Sequence, residues 1–305
     1  MDPSTNYTSW GSAPLSENNQ KTEYKLWDYN PSIPAATVAA GVCGFLTLIH
    51  AFRLAQKRTW FCIPLIIGGV FETAGYAARA GAHDNTKALP PYIAQSLLIL
   101  LAPIFFAASI YSILGRIIHR VDGDEISIVH PSIMTRFFVW GDVLCFLVQA
   151  GGSGMLAQAK KQSDMKMGNT VILVGLGLQI YIFCFFVKIG VSFHRDLQKT
   201  PTTAAMDGEF PWERYMVLLY VACACVGIRN TYRVVEYAMG KSGFLMTHEW
   251  PLYVGDFALM AITLIVCLSW LIRQSSKKKK KERVKATSNS YMAQQKPDYH
   301  TATDF

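Results

Sequence analysis

Apolar residues along the chain fall into seven blocks: Pro34–Phe52, Trp60–Ala80, Ile93–Leu114, Phe137–Ala157, Thr170–Phe193, Tyr215–Val235 and Pro251–Ile272. A hydrocarbon core of roughly 30 Å is crossed by about 20 helical residues at 1.5 Å each, so every block is about long enough to span. The pattern predicts an all-α polytopic membrane protein of seven transmembrane helices. Short polar loops such as "RLAQKR" (Arg53–Arg58) and "AGAHDNTKALPP" (Ala80–Pro91) join the blocks, and none has room for a second core. The expected organisation is an N-terminal tail over 1–33, a membrane domain over 34–272 and a basic, disordered tail over 273–305.

Polar residues inside the blocks change the picture. An ionisable side chain at mid-membrane costs about 2.5–3.5 kcal/mol on insertion scales, so it is expected to face the bundle interior. In the second block Glu72, Tyr76 and Arg79 stand at i, i+4 and i+7, one face of a helix. Asp142, Gln149 and Ser153 form such a stripe in the fourth block, and Arg229, Arg233 and Glu236 in the sixth. In the seventh, Glu249, Tyr253, Asp256, Met260 and Thr263 repeat it. Gln95 opens the third block and Gln179 sits midway along the fifth, both placed to join the interior.

Stripes that avoid lipid predict an interior polar network or a wet cavity. Two roles fit it. One is a binding site for a polar head; the other is a set of interhelical locks in which the arginines match Glu72, Asp142, Glu236 and Asp256. By depth, most of these residues fall in the half of the bundle nearer the N-terminal side, with Glu72 and Gln149 near the middle and Asp142 beyond it. Glycines in "QAGGSG" (Gln149–Gly154) and "GLGLQ" (Gly175–Gln179) predict close helix approach, and Pro103 predicts a kink in the third span.

Charge sets the orientation. Arg53, Lys57, Arg58, Arg116, Arg120, Arg136, Arg195, Lys199 and Arg214 collect on one side, with the run Lys277–Lys281 after the last block. The positive-inside bias places that side in the cytosol and the N-terminus outside, against the dissent of Lys160, Lys161 and Lys166. Asn6-Tyr7-Thr8 is a glycosylation sequon on the exposed side, and the lysine run is suited to an anionic inner leaflet. The N-terminal segment lacks a basic start and an apolar run, so the first span is expected to act as the targeting signal.

Overall composition agrees with a membrane domain: 51% of residues are hydrophobic, only 16% are charged, and the formal net charge is +8. All seven cysteines fall in the apolar blocks, away from loops where oxidation pairs them, and their spacing gives no metal pattern. Of the seven histidines only His50 lies in a block, and no H-E-x-x-H occurs. No phosphate-binding loop for a nucleotide is present. The last block has no lysine for a retinal Schiff base. Neither an enzyme, a bound cofactor nor a nucleic-acid partner is therefore expected.

In order along the chain, "YNPS" (Tyr29–Ser32), "ETAGYAAR" (Glu72–Arg79), "LLAP" (Leu100–Pro103), "GDVLCFLVQAGGSG" (Gly141–Gly154), "GLGLQ", "IRNTYRVVE" (Ile228–Glu236) and "EWPLYVGD" (Glu249–Asp256) resemble the fungal lipid-translocating exporter family named for aminocholesterol resistance. That family includes sphingoid long-chain-base exporters and a protoporphyrin uptake protein. The resemblance covers about Tyr29–Ile272. It implies a seven-span protein of the plasma membrane or another cell membrane, which exports amphipathic lipids or hydrophobic drugs and toxins, or senses lipids as a receptor or regulator. The polar residues that the resemblance carries over are Glu72, Arg79, Gln95, Asp142, Gln149, Gln179, Arg229, Arg233, Glu236, Glu249 and Asp256.

Overall fold

The computed structural model describes residues 32–57, 60–82, 89–159, 161–206, 210–240 and 243–271. The sequon at Asn6 and the run Lys277–Lys281 lie outside them. Seven long helices are present: α1 (Ile33–Lys57), α2 (Ile63–Gly81), α3 (Leu89–Arg120), α4 (Pro131–Gln158), α5 (Gln162–Lys199), α6 (Trp212–Met239) and α7 (Trp250–Leu271). No strand occurs among the described residues.

Six of the seven are long and apolar enough to cross a membrane; α2 is not among them. Its 19 residues, about 28 Å of helix, include both Glu72 and Arg79, which lower its apolar content. Several helices outrun their apolar blocks. At 38 residues and about 57 Å, α5 extends well past a hydrocarbon core, and its end is tied to α6 by a hydrogen bond between His194 Nδ1 and the Tyr220 hydroxyl at 2.9 Å.

Sequence neighbours pack against each other from α1 to α7, and α3 also meets α6. That makes α3 the central helix: 72% of its apolar window is buried, against 28% for α4 and 33% for α1 and α5. The outer helices instead present large apolar side chains outward, including Phe45 and Leu48 on α1, Trp140 and Leu147 on α4, and Val174 and Tyr181 on α5. An apolar exterior is what a lipid solvent demands. The core around α3 is aromatic, with Tyr111 packed against Phe138, Phe183 and Phe186.

Pro103 lies inside α3, which continues unbroken through it. The α4–α5 contact depends on two glycines. A Cβ at Gly152 would sit 2.9 Å from the Gly168 carbonyl oxygen and 3.0 Å from the Ile172 nitrogen, and one at Gly175 would meet Gln149 Cγ at 2.8 Å. Backbone atoms cannot swing aside, so Gly152→Val should cost about 1–3 kcal/mol by forcing the helices apart. Gly151→Ala is the control, because nothing lies within 4 Å of that position. Thermal unfolding in mild detergent should separate the two variants; equal midpoints would mean that the contact is not tight.

Candidate functional site

The polar stripes of α2, α6 and α7 meet at one end of the bundle, beside the first turns of α3. Arg229 on α6 donates from Nε to Asp256 Oδ1 on α7 and from Nη2 to the Ile99 carbonyl on α3, the latter at 2.6 Å. One turn on, Arg233 donates to Asp256 Oδ2 and to Glu236 Oε2, the latter at 2.8 Å. Asp256 is fully buried and bridges both arginines, with one carboxylate oxygen for each.

Local geometry explains how one carboxylate reaches two guanidinium groups. Residues Tyr253–Ala258 of α7 wind as a π-helical turn, which carries an extra residue and is frequent at functional sites. Within it, Gly255 has no side chain where the Tyr232 ring of α6 packs; a Cβ there would meet the ring at 2.6 Å. The missing side chain lets α6 and α7 approach closely at Asp256. The turn keeps the stripe intact, since Asp256, Met260 and Thr263 are all fully buried.

Toward the end of the bundle a second polar group forms around Glu249. This residue precedes α7 as its N-cap, outside the apolar block that begins at Pro251, and shares a face with Tyr253 one turn on. Its Oε1 accepts from Arg79 Nη2 on α2 at 3.0 Å and from the Tyr253 hydroxyl at 3.0 Å, and both its oxygens accept from the Ser32 backbone N–H at 3.0 and 3.1 Å. The start of α1, the end of α2 and the start of α7 are thus tied through one carboxylate. Tyr76 stacks on Tyr253 at 6.2 Å and meets Phe257 edge-on at 5.8 Å, walling this face with aromatic rings.

Glu72 lies between the arginines and the α1–α2 contact. It is fully buried and close enough to Asp256, Arg229 and Arg233 to feel their charge, yet among the described residues neither of its oxygens has a hydrogen-bond partner. The Tyr76 hydroxyl one turn away and Gln95 Oε1 on α3 are likewise buried without partners. Arg229 and Arg233 are already matched by Asp256 and Glu236. Glu72 is therefore the supernumerary acid of the cluster.

The fourth-span stripe does not join this group. Asp142 is buried and takes a hydrogen bond from the Tyr111 hydroxyl of α3 at 2.8 Å, while Gln149 donates to Gln179 Oε1 of α5 at 2.8 Å. One interior network read from sequence is thus four groups in the structure, because α4 faces α3 and α5 rather than α2, α6 and α7. Sequence reasoning also gave no part to Tyr111, the Ile99 carbonyl or the Ser32 N–H. A tyrosine within an apolar run was the available signal for the first, whereas backbone partners leave none. His50, the one histidine in an apolar block, is fully buried and bonds through Nε2 to the Leu264 carbonyl at 3.0 Å, tying α1 to α7.

Among the described residues, no group of histidine, cysteine, aspartate and glutamate is arranged to hold a metal ion. Helices with apolar exteriors and buried, mutually matched charges define an all-α polytopic integral membrane protein. The chain matches the profile described as RTA1 like protein over residues 65–279, more than half its length, and belongs to that family. Protein RTM1 of Saccharomyces cerevisiae is 33% identical over 215 residues, 70% of this chain and 68% of that protein. Protoporphyrin uptake protein 1 of the same yeast is 32% identical over 203 residues, 67% of this chain and 66% of that one. The yeast sphingoid long-chain base transporter RSB1 is 25% identical over 257 residues, 73% and 67% of the two chains. No solved structure matches.

Proposed function

We propose that this protein exports amphipathic amines, with long-chain amino alcohols such as sphingoid bases as the substrate class. The observation that carries the reading is Glu72, a buried acid whose two oxygens lack donors among the described residues, in a cluster where both arginines face carboxylates. An ammonium group supplies three donors and a positive charge, and takes no hydrogen bond itself. The other unpartnered acceptors nearby, the Tyr76 hydroxyl oxygen and Gln95 Oε1, add to the fit. Arg233 Nε is a buried donor without an acceptor, suited to a substrate hydroxyl. The kinship with a protein named as a sphingoid long-chain base transporter supports the same class.

In this reading α2 is the seventh transmembrane helix, carried across the bilayer between α1 and α3 despite its charges. The N-terminus lies outside, the C-terminus lies in the cytosol, and the plasma membrane is the site of action. The amine site then sits in the outer half of the bundle, where a released substrate would leave. No energy source is built into the chain, so movement follows a gradient or is coupled to an ion.

The test is flux of fluorescent lipids in liposomes of phosphatidylcholine containing the purified protein. A long-chain base should move faster than in protein-free liposomes, and its N-acetylated form should not. Equal acceleration of the two would remove the charge assignment. Binding of the base without any flux would favour the receptor reading.

A further inference from the structure

The opposite end of the bundle carries a feature that the amine site does not use: a cleft of about 530 Å³ between the end of α3, the start of α4 and the segment leading into α6. Its polar lining includes Arg116, His119 and Arg120 from the last turns of α3 and His130 from the residue before α4. Among the described lining residues Asp124 is the only acid, and it is engaged by His119 Nδ1 at 3.1 Å. Among the described lining residues two arginines stand against one aspartate, with two histidines beside them, a lining that favours an anion.

The geometry points to a phosphate-bearing ligand, specifically the phosphomonoester headgroup of an anionic lipid. Arginine presents several donors in a planar fork that matches phosphate oxygens. The hydroxyls of Ser132 and Thr135 line the same space and supply further donors. Trp270 and Phe210 complete the wall with apolar surface. Trp270 is buried near the end of α7, and the Arg120 guanidinium lies over the Phe210 ring at 5.6 Å, so the charged rim stands on an aromatic base. A cleft at a helix end, apolar toward the bundle and cationic toward the rim, suits a molecule with acyl chains in the bilayer and a phosphate at its surface. The volume lies within the roughly 300–1,000 Å³ typical of small-molecule sites. A soluble phosphate compound shares the recognised chemistry, and the experiment separates the two sources.

Full-length protein in nanodiscs of phosphatidylcholine doped with phosphatidylinositol 4-phosphate should co-purify with the anionic lipid in excess of its bulk fraction, as read by mass spectrometry. Arg116→Gln/Arg120→Gln should reduce that enrichment by about tenfold or more, since each basic residue near a membrane surface contributes on the order of 1 kcal/mol. Asp124→Asn removes the acid of the described lining and should raise it. Both variants alter polar side chains of the cleft rather than the packed core. Enrichment reversed by millimolar inositol 1,4-bisphosphate but not by sodium sulfate supports the phosphomonoester site. A site filled by the soluble compound, with no lipid enrichment, assigns the same site to the soluble source. No enrichment and no binding of the soluble compound by wild type overturns the proposal, as does enrichment that the double variant leaves unchanged.

Discussion

Asp256→Ala should destabilise the protein by about 3–5 kcal/mol, the usual consequence of removing one partner from a buried, hydrogen-bonded ion pair. The residue is fully buried and its two oxygens hold two arginines on the neighbouring helix. Without it, Arg229 keeps only the Ile99 carbonyl and Arg233 only Glu236 among these partners. Thermal unfolding in mild detergent, followed by tryptophan fluorescence, measures the loss. The double variant Arg229→Met/Asp256→Leu should recover most of it, because it removes one charge of each sign and leaves Arg233 paired with Glu236. A midpoint for Asp256→Ala close to that of wild type would mean that this carboxylate does not hold the helices together.

Glu72→Gln should do the reverse: leave stability at or above that of wild type and reduce long-chain-base flux at least about tenfold, equivalent to about 1.4 kcal/mol. A buried carboxylate that accepts no hydrogen bond is costly, so an amide of the same shape removes a penalty rather than a partner. Flux depends on that same charge if it receives the ammonium head. The pair of measurements distinguishes the two roles that the charged stripes allow. Lost stability would make Glu72 a lock for the arginines; full stability with unchanged flux would place it outside the transport path.

Much of the bundle was legible because the bilayer penalises error heavily. Of the charged residues assigned to the bundle interior, Glu72, Arg79, Asp142, Arg229, Arg233, Glu236 and Asp256 are buried in the structure, and Glu249 is half-buried. A charge in hydrocarbon has few other options. Pairing was less legible, since the periodicity of one helix tells which residues share a face and nothing about the helix opposite. Asp142 shows this: its stripe was aligned correctly with Gln149, yet the two residues take partners on different helices, Tyr111 on α3 and Gln179 on α5. The π-helical turn escaped because it leaves the buried stripe of α7 in place. The basic cleft escaped as well, because Arg116 and Arg120 read as ordinary flanking charge until the start of α4 and Phe210, two residues before α6, came to face them.

The Arg229–Asp256–Arg233 bridge also bears on biogenesis. As it leaves the ribosome, α6 is the least apolar of the six helices competent to span. Two buried arginines at about 2.5–3.5 kcal/mol each oppose its entry into lipid on its own. Its counter-ion is Asp256, which the ribosome adds only after the whole of α6 and the turn that follows. The two segments are thus best inserted as a hairpin, so that the sixth becomes a stable membrane helix when the seventh arrives beside it.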